Sequence, residues 1–168
     1  MKNILMLLLT GLLFQCTPEN NSELSSIENT ILSDNSDFPT GDAVVEYAKL
    51  YYGVPYYYGS ANPQTGFDCS GYIHYVYTHF GIEVPRSSVD FTEVGTDVEV
   101  EEAQPGDLVL FTGTNPKNRT VGHIGIVVKN DLEGLDFIHA TSGKQHAVTV
   151  TPLEGYYENR FVKVIRLI

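Results

Sequence analysis

From residue 106 to the end of the chain, the segments GDLVLF, GHIGIVV, DFIHA, AVTVT and RFVKVIRLI are rich in β-branched and aromatic residues. Turn signals such as KNDLEG, residues 129–134, separate them. Short segments of this composition suit half-buried strands, and neighbours joined by tight turns pair antiparallel. The residues before them follow a different period. In DAVVEYAKLYY, Val44, Val45, Ala48, Tyr51 and Tyr52 fall on one helical stripe. From Cys69 onward, Ile73, Val76, Tyr77 and Phe80 recur at helical spacing, with Asp68 suited to the N-cap and Gly81 to the end. Between the two helices, GVPYYYGSANPQTG is broken into a loop by Pro55, Pro63 and several glycines. Helices followed by an antiparallel sheet predict one α+β domain over residues 41–168.

The residues ahead of that domain read as targeting sequence. Lys2 followed by the apolar run Ile4 to Phe14 has the length of a signal-peptide core and is too short to span a bilayer as a mature helix. Residues 1–15 are therefore expected to be removed on export. Cys16 follows in LLFQC, where a bacterial lipoprotein carries its lipid-modified cysteine, although Phe14 and Gln15 replace the small residues usual before it. An ordinary secretion signal with an incidental cysteine is the other reading. Residues 16–40 are rich in Asn, Ser, Glu and Asp and contain no basic residue, so they predict a flexible acidic tether. Together these features predict an exported lipoprotein, held at a membrane and facing the periplasm or the cell exterior.

Charge excludes one class of partner. Ten Lys and Arg against twenty-one Asp and Glu leave a net charge of −11, with no basic cluster to follow a phosphate backbone, so no nucleic acid is expected.

The chain has two cysteines, and Cys69 stands in FDCSG at the start of the second helix. Helix-start amides and the helix dipole favour a thiolate, which predicts a lowered pKa and a nucleophile. A core cysteine would lie on the apolar stripe instead. A disulfide would need Cys16 as its partner.

Histidines choose between an inert and a reactive thiol. His74, His79 and His146 read as surface or partly buried residues. His123 and His139 lie on adjacent strands; a hairpin register centred on Asp131 would set them directly opposite, with one imidazole within reach of the other. A helix-start thiol facing such a pair supplies nucleophile, base and orienting group. The same three residues could instead ligate zinc, although they lack the close spacing of most zinc motifs.

GVPYYYGS, FDCSGYIHYVY, VPRSS, PGDLVLF, GHIGIVV and FIHA, in this order from about Tyr47 to the C-terminus, resemble the NlpC family of papain-like bacterial cell-wall cysteine peptidases. The resemblance implies a papain-like fold, with N-terminal helices packed on an antiparallel sheet. It also implies Cys69 as nucleophile, His123 as base, His139 as orienting residue, and no metal or cofactor. The implied substrates are peptidoglycan stem peptides, cut between D-glutamate and diaminopimelate by a monomer. Tyr56, Asp68, Ser70 and Ser87 match positions that line the family's groove, where the Asp68 carboxylate would meet a free amine. Tyr58 stands where many members have Trp, and Ser60 where many have a second Gly. Three other activities of related folds stay open at this level: an endopeptidase for D-alanyl-diaminopimelate cross-links, a thiol acyltransferase, and a non-catalytic wall-binding module.

Overall fold

The computed structural model describes residues 39–168. The expected leader over residues 1–15, Cys16 and the tether up to residue 38 lie outside the described residues.

Helix α1, Gly41–Lys49, starts where the Thr40 hydroxyl accepts the Ala43 N–H, and it buries Val44, Val45 and Ala48. The apolar stripe read from the sequence runs further than the helix does. Tyr51 still packs on the core, but Tyr52 is 63% exposed. The helix stops there because the Gly53 N–H is drawn to the Val148 carbonyl, which turns the chain toward the sheet edge. The loop that follows pairs with the same edge, with Val148 N–H on the Val54 carbonyl and Tyr56 N–H on the His146 carbonyl. It leads into a two-stranded hairpin of β1, Ala61–Asn62, and β2, Gly66–Phe67.

Helix α2, Cys69–His79, begins at an Asp68 cap as the sequence predicts and buries Tyr72, Ile73, Val76 and Tyr77. It passes so close to the preceding loop that a Cβ on Gly71 would stand 2.1 Å from the Ser60 carbonyl oxygen. No residue with a side chain fits there without moving the loop away from the helix start.

The remaining strands are β3 (Thr96–Val98), β4 (Leu108–Thr112), β5 (Val121–Asp131), β6 (Gly134–Ala140), β7 (Val148–Pro152) and β8 (Phe161–Arg166). They form one antiparallel sheet in the order β3-β8-β4-β5-β6-β7. Short 3-10 turns, Ser88–Glu93, Val100–Glu102 and Glu158–Arg160, punctuate the connections. Among the described residues no helix is long and apolar enough to cross a membrane.

Strand alternation divides the apolar residues between the two faces of the sheet. Leu108, Leu110, Ile124, Ile126, Ile138 and Ile165 turn toward both helices and form the larger core. Val109, Phe111, Val127, Phe137 and Val164 form a smaller cluster on the other face, with Tyr157 and Phe161 packed against it. Burying a side chain of this size contributes about 1.5–3 kcal/mol, so the larger cluster fixes α2 on the sheet far more firmly than its cap alone could.

The hairpin register differs from the one centred on Asp131. Asp131 pairs with Gly134 around a two-residue turn, and an irregularity between Val127 and Lys129 leaves Ile126 opposite Ile138. His123 and His139 are therefore diagonal neighbours, displaced by two residues. A two-residue displacement keeps both side chains on the same face, so they still meet.

Candidate active site

Asp68 holds the start of α2 in place. Its Oδ1 accepts the Gly71 N–H at 2.6 Å, while Arg86 donates to Oδ1 at 3.0 Å and to Oδ2 at 2.7 Å. Arg86 also donates to the Ser70 hydroxyl at 3.1 Å. This network presents Cys69 at the end of β5, where the free thiol sulfur lies 4.0 Å from the Gly122 carbonyl oxygen. Gly122 falls at the irregularity between the Phe111–His123 and Thr112–Val121 pairings, and an added Cβ would stand 2.9 Å from the Gly113 Cα. A bulge of this kind re-aims the residue beside it, which here is His123.

The thiol differs in one respect from the helix-start expectation. Burial pushes the Cys69 pKa up, and the Asp68 charge adds to the rise; the amides of Ser70 and Cys69 and the Arg86 charge pull the other way and are outweighed. Cys69 therefore rests as a thiol. Below its pKa the thiolate fraction, and with it the rate of alkylation by iodoacetamide, should climb about tenfold per pH unit from pH 6 to 8.5. A flat rate across the acid side, measured by mass spectrometry of the trapped protein, would instead mean a standing thiolate–imidazolium pair.

The two histidines lie on the sheet face turned away from the helices, packed against Phe111, Phe137 and Tyr157. Cys69 and His123 border one recess at the end of β5. The His123 Nε2 and His139 Nδ1 are 2.7 Å apart, and the His139 Nε2 is 3.0 Å from the Thr151 hydroxyl. Burial holds His123 well below the usual imidazole range, with the His139 and Arg160 charges adding to the effect. Burial and Arg160 push His139 down to about 3. Both rings are neutral at physiological pH.

A neutral pair bonded in this way carries its protons in one useful direction. With His123 donating its Nε2–H to His139 Nδ1 and His139 donating its Nε2–H to Thr151 Oγ1, the two contacts leave His123 Nδ1 a free lone pair, which is the tautomer a base requires. The reverse direction would put a proton on Nδ1 and remove the base. His139 meets His123 and Thr151 through its two ring nitrogens. Thr151→Val removes the hydroxyl that can take the His139 Nε2–H and should lower kcat by about three- to tenfold with KM little changed, while Thr151→Ser retains activity. Equal activity of the Val variant and the parent would remove Thr151 from the relay.

Cys69 stands between two recesses that share Tyr56, Cys69 and Gly122. One, of about 510 Å³, is bordered by Asp68, Ser70, Arg86 and Ser87. The other, of about 260 Å³, is bordered by His123, Thr141, Tyr156, Tyr157 and Arg160. Every groove residue expected from the sequence, Tyr56, Asp68, Ser70 and Ser87, thus meets Cys69 in the first recess. The Asp68 carboxylate there is already paired with Arg86, so an amine entering the recess would share it. Tyr58 borders the same recess and is exposed. His74, His79 and His146 border neither: His74 faces the Val84 carbonyl, His79 stacks on Tyr47 and His146 sits in an exposed turn.

Sequence reading did not assign roles to Arg86, Thr151, Tyr157 or Arg160. Alternation in AVTVT places Thr151 two residues from Thr149, which pairs with His139, and that spacing was a usable signal once the strand order was known. For Arg160 no local signal exists.

Residues 53–166 match the family model described as the NlpC/P60 family. The chain belongs to the NlpC/P60 family. Among its relatives, the bifunctional muramidase/DL-endopeptidase CwlT of Bacillus subtilis is 34% identical over 126 residues, which cover 75% of this chain and 36% of that protein. The probable endopeptidase NlpC of Escherichia coli is 30% identical over 163 residues, covering 96% of this chain and 94% of that one. The crystal structure of an NlpC/P60 family protein from Bacillus cereus superposes with a TM-score of 0.68 at 28% identity, over 77% of this chain and 40% of the other. The chain thus spans about a third of the length of the first curated relatives it matches and nearly all of the Escherichia coli one. The α+β, papain-like arrangement expected from the motifs is the fold of these NlpC/P60 neighbours.

Proposed function

We propose that this NlpC/P60 domain is a cysteine endopeptidase that hydrolyses peptidoglycan stem peptides between D-glutamate and diaminopimelate. The observation that carries this reading is the position of Cys69 on the ridge between two recesses, with His123 bordering only one of them. The DL-endopeptidase named in the Bacillus subtilis relative supports the choice of bond.

The reaction follows from the proton relay. As the Cys69 sulfur bonds to the amide carbon, its proton passes to His123 Nδ1. The Cys69 backbone N–H and the Tyr56 hydroxyl serve as donors to the oxygen that gains charge; burial, with the Asp68 charge, raises the Tyr56 pKa and keeps that hydroxyl protonated. His123 then returns its proton to the amide nitrogen as the carbon–nitrogen bond breaks. The leaving amine therefore departs on the His123 side, and the acyl part stays in the recess of Asp68, Ser70, Arg86 and Ser87. Water, deprotonated by His123, cleaves the thioester and restores the thiol. One copy of the chain supplies all of these groups, consistent with a monomer that needs no cofactor.

Incubation with defined muropeptides followed by mass spectrometry tests the assignment. The expected products are the L-alanyl-D-glutamate end and a peptide beginning at diaminopimelate. Cleavage confined to D-alanyl cross-links, transfer of the acyl group to an acceptor other than water, or binding without cleavage would each replace it with another activity.

The cell-wall substrate calls for export. We place the mature N-terminus at a lipidated Cys16, with residues 17–40 as the tether that lets the domain reach the wall from a membrane. Intact-mass analysis should find the lipid on Cys16 and the protein in the membrane fraction; an unmodified, freely soluble mature chain would overturn this anchoring.

A further inference from the structure

Arg160 is the least expected charge in the molecule. It is only 5% exposed, and no described carboxylate lies within ion-pair distance of it. The two other arginines that hold the fold together behave differently, Arg86 being paired with Asp68 and Arg166 with Asp107. A buried cation left without a counter-charge is costly, and neutral acceptors offset only part of that cost.

The neutral acceptors are identifiable. Arg160 Nε donates to the Gly113 carbonyl at 2.9 Å and Nη2 to the Thr112 carbonyl at 2.7 Å, while the guanidinium carbon lies 4.7 Å from the Tyr156 ring centre and 5.5 Å from that of Tyr157. Nη1 has no protein acceptor among the described residues. Because no fully buried side-chain nitrogen among those residues lacks a partner, Nη1 must reach open space, and the open space beside Arg160 is the 260 Å³ recess on the His123 side of Cys69.

That recess is where the leaving amine departs, since only His123 can protonate it. Resting on the proposed hydrolysis of stem peptides, we infer that Arg160 is a specificity-determining residue that binds a carboxylate carried by the residue on the leaving side of the cut bond. The rigid guanidinium, fixed from behind by two carbonyls and from the side by two tyrosines, presents its remaining edge to the recess without further ordering. The counter-charge that the described residues do not supply arrives with the substrate. Two carboxylates of a diaminopimelate residue have this chemistry, the one on its main chain and the one at the end of its side chain.

Four synthetic γ-D-glutamyl substrates separate the possibilities. Their leaving residues are diaminopimelate, diaminopimelate amidated on the side-chain carboxyl, diaminopimelate amidated on the main-chain carboxyl, and lysine. The wild-type protein should cleave the unmodified substrate with kcat/KM about 10- to 100-fold above the form lacking the carboxylate that Arg160 binds, the range of one charge-assisted hydrogen-bonded contact. If the side-chain group is bound, the side-chain amide and lysine substrates are both poor; if the main-chain group is bound, only the main-chain amide is. Arg160→Gln should collapse the preference by lowering kcat/KM on the unmodified substrate and leaving the amidated one unchanged, and Arg160→Lys should recover part of it.

A wild-type protein indifferent to all three changes would overturn the inference while leaving the peptidase assignment standing, and that comparison needs no variant to fold. Equal losses on every substrate in Arg160→Gln would reduce Arg160 to a structural brace. Failure of the wild type to cleave any of the four would overturn the hydrolytic assignment and this inference with it.

Discussion

Cys69→Ala should abolish hydrolysis, by roughly 10⁴-fold or more, since loss of a nucleophile removes the covalent route and leaves only binding and the oxyanion contacts. The fold should survive. The thiol is half-buried at the first turn of α2, and what secures that turn is the Asp68 cap, the Arg86 pair and the buried faces of Tyr72, Ile73, Val76 and Tyr77. The variant should therefore keep its thermal midpoint within a few degrees and still bind stem peptides. Residual turnover above a hundredth of the parent rate, on a sample free of contaminating peptidase, would mean that Cys69 is not the nucleophile.

His123→Ala should cost roughly 10²- to 10⁴-fold in kcat, because the same imidazole takes the thiol proton and delivers it to the leaving amine. His139→Ala should be milder, about ten- to a hundredfold, since a water can accept the His123 Nε2–H in its place. His74→Ala and His79→Ala should retain activity, as neither ring borders the recesses. The pH profile carries the same logic. Burial lowers the His123 pKa, so the base persists as the solution is acidified, and the acid limb of kcat/KM should fall below pH 6.5 rather than at or above it. A ranking in which His139→Ala is unaffected, or an acid limb above pH 7, would require different roles for the two rings.

The depressed histidines also bear on stability. An imidazole held neutral in the fold takes up its proton more readily when unfolded, so the unfolded state binds more protons below about pH 6.5, and stability declines as the pH falls from there toward the folded-state values.

Helix positions, the strand-rich second half, the capped start of α2 and the pairing of His123 with His139 were all legible along the chain, because each depends on local period, capping chemistry or the two-residue alternation of strands. The register differs from the expected one because the turn closes between Leu132 and Glu133 rather than at Asp131, an offset of three residues that the irregularity near Val128 brings back to two; the irregularity leaves no mark in composition. The expected low thiol pKa failed for a related reason: the helix-start amides act as the sequence implies, but desolvation and the Asp68 charge, which depend on what surrounds the sulfur, outweigh them.

Sequence alone thus determined the class of fold, the residues capable of the chemistry and the family whose motifs they follow, because those follow from short-range pattern and residue type. Tertiary structure alone decided that the histidines occupy the face away from the helices, that Thr151 completes their relay, that two recesses meet at Cys69, and that Arg160 lies in the second with no acidic partner among the described residues. Burial and proximity between residues far apart in the chain set all four, and both are properties of the packed molecule.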